Sequence, residues 1–216
     1  MTQDVQLELT RRPAEAIAAD IVVAGFFSDD RPLRGAAGRL DWRLCGQLSD
    51  GLASGSLDGE WGGAALLPGT GPIKAFRVLL LGLGKRREFS LDRAEEAMRD
   101  AIARCLDLGQ RVVALSPLGI APDDFSRHAE VLMDGLTRAV REAAPRLQTD
   151  EPRDLLLRIS VSEKQFREAK EHLPSLIEDR ADPRIHLSGQ ASSPSFAAPP
   201  RIEPVAYAGK LQPDPT

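Results

Sequence analysis

At 216 residues the chain is long enough for one good hydrophobic core and too short for two comfortable ones. A hydrophobic content of 42% beside 28% charged residues is ordinary for a soluble globular protein, and a net charge of −4 gives no general attraction to nucleic acid or anionic membrane. No apolar run approaches the roughly 20 residues that span a bilayer, and the opening MTQDVQLELTRRP lacks the apolar core of a secretion signal.

Val5, Leu7 and Leu9 alternate with polar residues and predict a short, half-exposed strand ended by Arg11-Arg12-Pro13. Asp20 to Phe27 is apolar enough for a strand inside a sheet, and Ser28 to Pro32 is a turn. From Gly35 to about Ala53 apolar residues recur every three to four positions (Ala37, Leu40, Leu44, Leu48, Leu52), the stripe of one helix. Trp61 to Pro68 reads as a third strand, turned back by Gly69-Thr70-Gly71-Pro72 into a hairpin with the strand after it.

That next strand is the most informative stretch. Phe76-Arg77-Val78-Leu79-Leu80-Leu81 runs without alternation into Gly82-Leu83-Gly84-Lys85. An unbroken apolar run suits a strand covered on both faces, which predicts the central strand of a three-layer domain. Ser90 then caps a helix from Leu91 to Leu108 that Gly109 stops. Arg111 to Leu115 is a strand, and a helix starting near Asp123 or Asp124 ends at Pro145. Leu155 to Val161 is the last predicted strand. Ser162 and Gln165 form a capping box for a short helix. Beyond about Arg180, prolines scattered among Ser, Ala and Gly predict a disordered tail, so the domain is 1–180 and the tail 181–216. The fold class is α/β, a three-layer αβα sandwich around a mixed, mostly parallel sheet.

Residues capable of chemistry are sparse. His128, His172 and His186 lie far apart, and Cys45 and Cys105 are 60 positions from one another, so no metal site and no cofactor are expected. Both cysteines fall on predicted helix faces, which favours buried free thiols and a reducing compartment, by default the cytoplasm. Ser116 before Pro117 reads as a turn residue, without the surroundings of a nucleophile. Gly82, Gly84 and Lys85 form a candidate anion loop between strand and helix. Arg87 stands where a dinucleotide fingerprint needs its third glycine, and Leu79 where a P-loop needs its first, so a structural turn is the plainer reading. Lys85-Arg86-Arg87 and Arg11-Arg12 are short basic runs without interleaved aromatics, which predicts solvated turns and no nucleic-acid partner.

Three blocks together resemble the N-terminal domain of the leucyl aminopeptidase (cytosol aminopeptidase) family. They are Ala19-Asp20-Ile21-Val22-Val23-Ala24-Gly25-Phe26 followed by Gly35 to Asp41; Gly59-Glu60-Trp61-Gly62-Gly63; and Lys74 to Lys85 with Phe89. The resemblance covers about residues 4 to 175 and implies a macro-like sandwich. In that family the peptidase chemistry belongs to a separate C-terminal domain, where Lys, Asp and Glu residues hold two divalent metals near an Asn-Thr-Asp-Ala-Glu-Gly-Arg run. This chain has no Asn, so no catalytic residue carries over. The expectation is a stand-alone, non-catalytic domain acting as an interaction, oligomerisation or regulatory module, with a protein partner or self-association. The alternative is a macro-like binder of a small molecule such as a nucleotide or ADP-ribose. A residual metal-dependent aminopeptidase is the third reading, and no hydrolysis is expected.

Overall fold

The structure is a computed structural model describing residues 5–143, 154–179 and 185–187. Within those residues the strands are β1 (Val5–Thr10), β2 (Ala19–Phe26), β3 (Ala64–Pro68), β4 (Ala75–Gly82), β5 (Val112–Leu115), β6 (Leu155–Ser160) and β7 (Ile185–Leu187). They form one sheet in the order β3-β4-β2-β5-β6-β1-β7, antiparallel at β3–β4 and parallel at every other pair. The helices are α1 (Gly35–Arg43), α2 (Gln47–Ser54), α3 (Leu91–Asp107), α4 (Phe125–Ala143) and α5 (Glu163–Asp179).

The apolar run of β4 is buried from both sides. Leu79 and Leu81 enter a core shared with α3, α4 and α5, through residues such as Met98, Ile102, Met133 and Ala169. Val78 and Leu80 enter a second core with Leu40 of α1 and Leu48 of α2. Two cores separated by a sheet make the expected αβα sandwich. The expectation of a central position needs correction, because β4 lies one strand in from the edge and β5 holds the middle. Two-sided burial demands helices on both faces and a neighbour on each flank, and β3 supplies the outer neighbour.

Other local expectations change in the folded chain. The single helix predicted over Gly35 to Ala53 is broken at Cys45 and Gly46, whose φ angles are +55° and +86°. Asp41 explains the break: its Oδ1 accepts the amides of Leu48 (2.9 Å) and Ser49 (3.0 Å), so a residue inside one helix caps the start of the next. β1 is not a half-exposed strand, since it pairs with both β6 and β7. Glu8 on its polar side is met by protein rather than water. Arg158 Nε donates to Glu8 Oε2 at 2.9 Å, and Arg158 Nη1 donates to the Ala18 carbonyl at 2.7 Å. The helix after β6 runs 17 residues, with Pro174 inside it, and is not short. β7 falls within the segment assigned to a disordered tail, so the boundary at 180 cuts off a strand. The rest of that tail, and the Pro145 stop, lie outside the described residues.

Ser90 does cap α3, its hydroxyl accepting the Arg93 amide at 3.3 Å. The cysteines divide. Cys105 is buried on α3, where desolvation first and the Asp100 charge second push its thiol up to about 12. Cys45 is exposed in the α1–α2 turn, against expectation, because the helix that would have buried it is broken there. At pH 8 an aromatic disulfide reagent is therefore expected to titrate one thiol quickly and the second only after denaturation. Two fast thiols in the native protein would contradict the burial of Cys105.

Candidate functional site

The loop after β4 has the amides an anion would need already engaged. Gly82 N–H donates to the Gly63 carbonyl (2.8 Å), Leu83 to Phe26 (2.9 Å) and Gly84 to Gly59 (3.0 Å). A Cβ on Gly82 would sit 2.1 Å from the Glu60 carbonyl oxygen, so main chain fills the space where a ligand would lie. Gly82 and Gly84 thus tie the 59–63 segment onto the end of β4, and their amides are already engaged by main chain. Helix α3 starts only at Leu91 and has its own cap, so it cannot contribute its N-terminal field here.

The open cleft lies one strand further in. From the carboxyl end of β2 the chain leaves toward β3 and β4, whereas from β5 it leaves toward β6. Connections that diverge from adjacent parallel strands leave a crevice outside their carboxyl ends, the usual ligand position in open α/β sheets. A cavity of about 220 Å³ occupies this point. Its walls are the end of β2, the start of α1, the β5–α4 loop from Ser116 to Ala121, and Ser160 at the end of β6.

Aromatic packing holds these loops together. The Phe27 and Phe89 rings meet edge to face at 5.1 Å, and the Arg86 guanidinium lies 4.2 Å over Phe27. Gly119, at φ +71°, rests against the Phe89 ring, which any Cβ would strike at 2.1 Å. The β5–α4 loop is thereby pinned to the β4–α3 loop.

Three guanidiniums and one carboxylate line the cleft. Arg86 Nε donates to Asp30 Oδ1 at 3.1 Å while its Nη2 meets Asp30 Oδ2. That hydrogen bond, helped by the charges of Arg86, Arg34 and Arg31 and opposed by burial, holds the Asp30 carboxyl below its ordinary value of 3.8. Arg39 Nε bonds both oxygens of the buried Glu15, at 3.0 and 3.1 Å. Arg34 is left over. It has no hydrogen bond or ion pair among the described residues and stands at the start of α1, whose first turn has no side-chain cap and no acidic residue. Ser116, 8% exposed, also lines the cleft, and among the described residues nothing bonds its hydroxyl. A helix N-terminus, a guanidinium whose charge reaches Asp30 without a direct ion pair, and the Ser116 hydroxyl form a set that favours an anionic oxygen ligand.

Sequence reasoning passed over both residues. Ser116 reads as a turn former, and Arg34 carries no motif. The available signals were the uncapped start Arg34-Gly35-Ala36-Ala37 and the Ser116-Pro117-Leu118-Gly119 loop after an apolar strand. The other predicted features do not converge. His128 lies on α4, His172 on α5 and His186 on β7, and among the described residues no three His, Cys, Asp or Glu side chains group as metal ligands. Arg11 pairs with Glu163 at 2.9 Å beyond β1, four strand spacings (roughly 19 Å) from the end of β4, so the two basic runs are separate turns. No helix among the described residues is long and apolar enough to cross a membrane.

The sequence model for the N-terminal domain of the cytosol aminopeptidase family matches residues 22–141, more than half of the chain. This chain belongs to that family. The probable cytosol aminopeptidase of Methylobacillus flagellatus is 40% identical over 96 residues, covering 44% of this chain and 19% of the relative. The chain thus spans about a fifth of that relative's length, and the likeness, confined to the family's N-terminal domain, lends it no peptidase activity. Among solved structures, a tomato leucine aminopeptidase variant superposes with a TM-score of 0.56 at 17% identity, over 81% of this chain and 37% of that one. A Trypanosoma brucei macrodomain in complex with ADP-ribose gives 0.59 at 15% identity, over 77% of this chain and 68% of that one. Together these establish a macro-like fold for this cytosol aminopeptidase N-terminal domain.

Proposed function

We propose that this member of the cytosol aminopeptidase family is a non-catalytic binding module, working in the cytoplasm, whose site is the cleft between the ends of β2 and β5. One observation carries the reading: Ser116, Arg34 and the uncapped start of α1 line one cavity at the carboxyl ends of β2 and β5. A phosphate-bearing small molecule suits such a set, and ADP-ribose and ADP are the ligands named for the T. brucei macrodomains of similar fold.

Thermal denaturation with ADP-ribose, ADP and pyrophosphate tests this directly. A ligand present at 100 times its dissociation constant stabilises by about 2.7 kcal/mol, which moves Tm by several degrees in a domain of this size. Arg34→Ala is expected to abolish the shift while changing the unliganded Tm little, since Arg34 is exposed and makes no hydrogen bond or close ion pair among the described residues. No shift with any phosphate compound would remove the reading.

A second reading, a protein-interaction or oligomerisation module, is favoured by the hairpin at the sheet edge. Among the described residues β3 pairs only with β4, and Leu66 and Phe76 beside that edge are 47% and 52% exposed. Such an edge can accept another strand. Sedimentation of a strictly monomeric protein, with no partner retained from its native source, would count against it.

A further inference from the structure

The hydrogen bonds of β3 fix which of its groups face outward. Gly69 N–H donates to the Phe76 carbonyl and Gly82 N–H to the Gly63 carbonyl, both at 2.8 Å. In the antiparallel register that sets Leu66 opposite Leu79, Ala65 and Leu67 therefore turn their amides and carbonyls toward β4. Ala64, Leu66 and Pro68 turn theirs to the free edge. Ala64 and Leu66 each offer a donor and an acceptor there, whereas Pro68 offers a carbonyl alone. No charged side chain stands on β3 to repel an approaching strand.

A strand that pairs along this edge has to tolerate the missing donor of Pro68. The residue it sets there needs a carbonyl that is already satisfied. Gly62, in the turn before β3, meets that condition: its carbonyl accepts Arg104 Nη2 at 3.1 Å, and its amide donates to the Gly82 carbonyl at 3.3 Å. A second β3 running antiparallel, with its Gly62 opposite Pro68, is centred on Ala65. Ala64 of each copy then faces Leu66 of the other, and both outward donors meet outward carbonyls. Centred on Leu66 instead, the pairing would press each Pro68 ring against the Ala64 carbonyl of the other copy.

The side chains fit the same register. Ala64 and Leu66 lie on the α3 face of the sheet, opposite Leu81 and Leu79. α3 does not cover Leu66, and a hollow of about 420 Å³ opens between α3 and the start of β3. Its floor includes Leu81 and Ala97, and Arg99, Asp100 and Arg104 line it as well. With the centre at Ala65, each exposed Leu66 lies beside the small Ala64 of the other copy, on the side of that hollow.

We propose that a second copy of this chain adds to β3 antiparallel, centred on Ala65, so that one sheet runs through a two-fold dimer. This rests on the interaction reading above and adds the occupant and its register.

Sedimentation of the full chain is expected to show a concentration-dependent dimer. Leu66→Pro should weaken it at least tenfold with the fold retained by circular dichroism, because the N–H it removes faces away from β4. Ala65 would lie across from itself in a non-hydrogen-bonded pair, about 4.5 Å between Cα atoms, within disulfide reach. In a Cys45→Ser background, with Cys105 buried, Ala65→Cys is expected to give a cross-linked dimer on mild oxidation. Thr70→Cys, exposed beyond the end of the strand, is not. Should Leu66→Pro fail to fold, the cross-link decides alone. A monomer at every concentration overturns the inference; an unlike partner retained from the native source would leave the interaction reading standing, and none would remove both. A dimer that Ala65→Cys does not cross-link is built through another surface, which overturns this edge and keeps the oligomerisation reading.

Discussion

Gly82→Ala is expected to lower the stability of the domain by about 3 kcal/mol, read as a fall in the urea midpoint at unchanged slope. The added methyl would stand 2.1 Å from the Glu60 carbonyl oxygen and 2.7 Å from the Gly59 carbonyl carbon. Both are main-chain atoms, so no rotamer change can relieve the overlap. The Gly59–Gly63 segment must move as a unit, and moving it strains three main-chain hydrogen bonds: Gly82 to Gly63, Gly62 to Gly82 and Gly84 to Gly59. A loss under 1 kcal/mol would mean that the segment is not held against β4 as described. The same substitution tells a structural tie from an anion loop, since a tie loses stability whether or not phosphate is present.

The second large effect separates the two faces of β4. Leu79→Ala and Leu80→Ala are each expected to cost about 2–5 kcal/mol, although the residues are adjacent in sequence. Leu79 is 3% exposed in the core with α3 and α4, and Leu80 is 1% exposed in the core with α1 and α2. Leu66, which lies opposite Leu79 on β3, is 47% exposed, and its alanine variant should cost under about 1 kcal/mol. A strand with one wet face would instead show one costly and one near-neutral substitution in the adjacent pair. Finding that asymmetry would refute the three-layer sandwich, whatever the superpositions say.

These expectations follow from a feature visible in the linear chain, because burial on both sides leaves a continuous apolar run that nothing else in a short strand produces. The αβα class, the hairpin before Leu79, the Ser90 cap and the order of strands and helices were readable for the same local reason. Helix breaks were less so. Asp41 lies on a sound amphipathic stripe, and only its reach to the amides of Leu48 and Ser49 turns one helix into two. β1 looked half-exposed because Gln6 and Glu8 alternate with apolar residues, yet Glu8 finds Arg158, 150 positions away, inside the protein.

Composition and hydropathy period alone determined that this is one sheet covered by helices on both faces, because burial stamps its period on each segment independently. Which strand lies at the middle, and where the cleft opens, depended on pairings between segments far apart in the chain. Gly82, Gly84 and Lys85 carried the spacing of a ligand loop, but the Gly82 and Gly84 amides are claimed by neighbours that only folding brings near. Arg34 and Ser116 carried no motif, and they line one cavity because the connections after β2 and β5 diverge at one point of the sheet. Local pattern sets which face of a segment is dry, while a binding site is made by the ends of segments, where no period survives to be read.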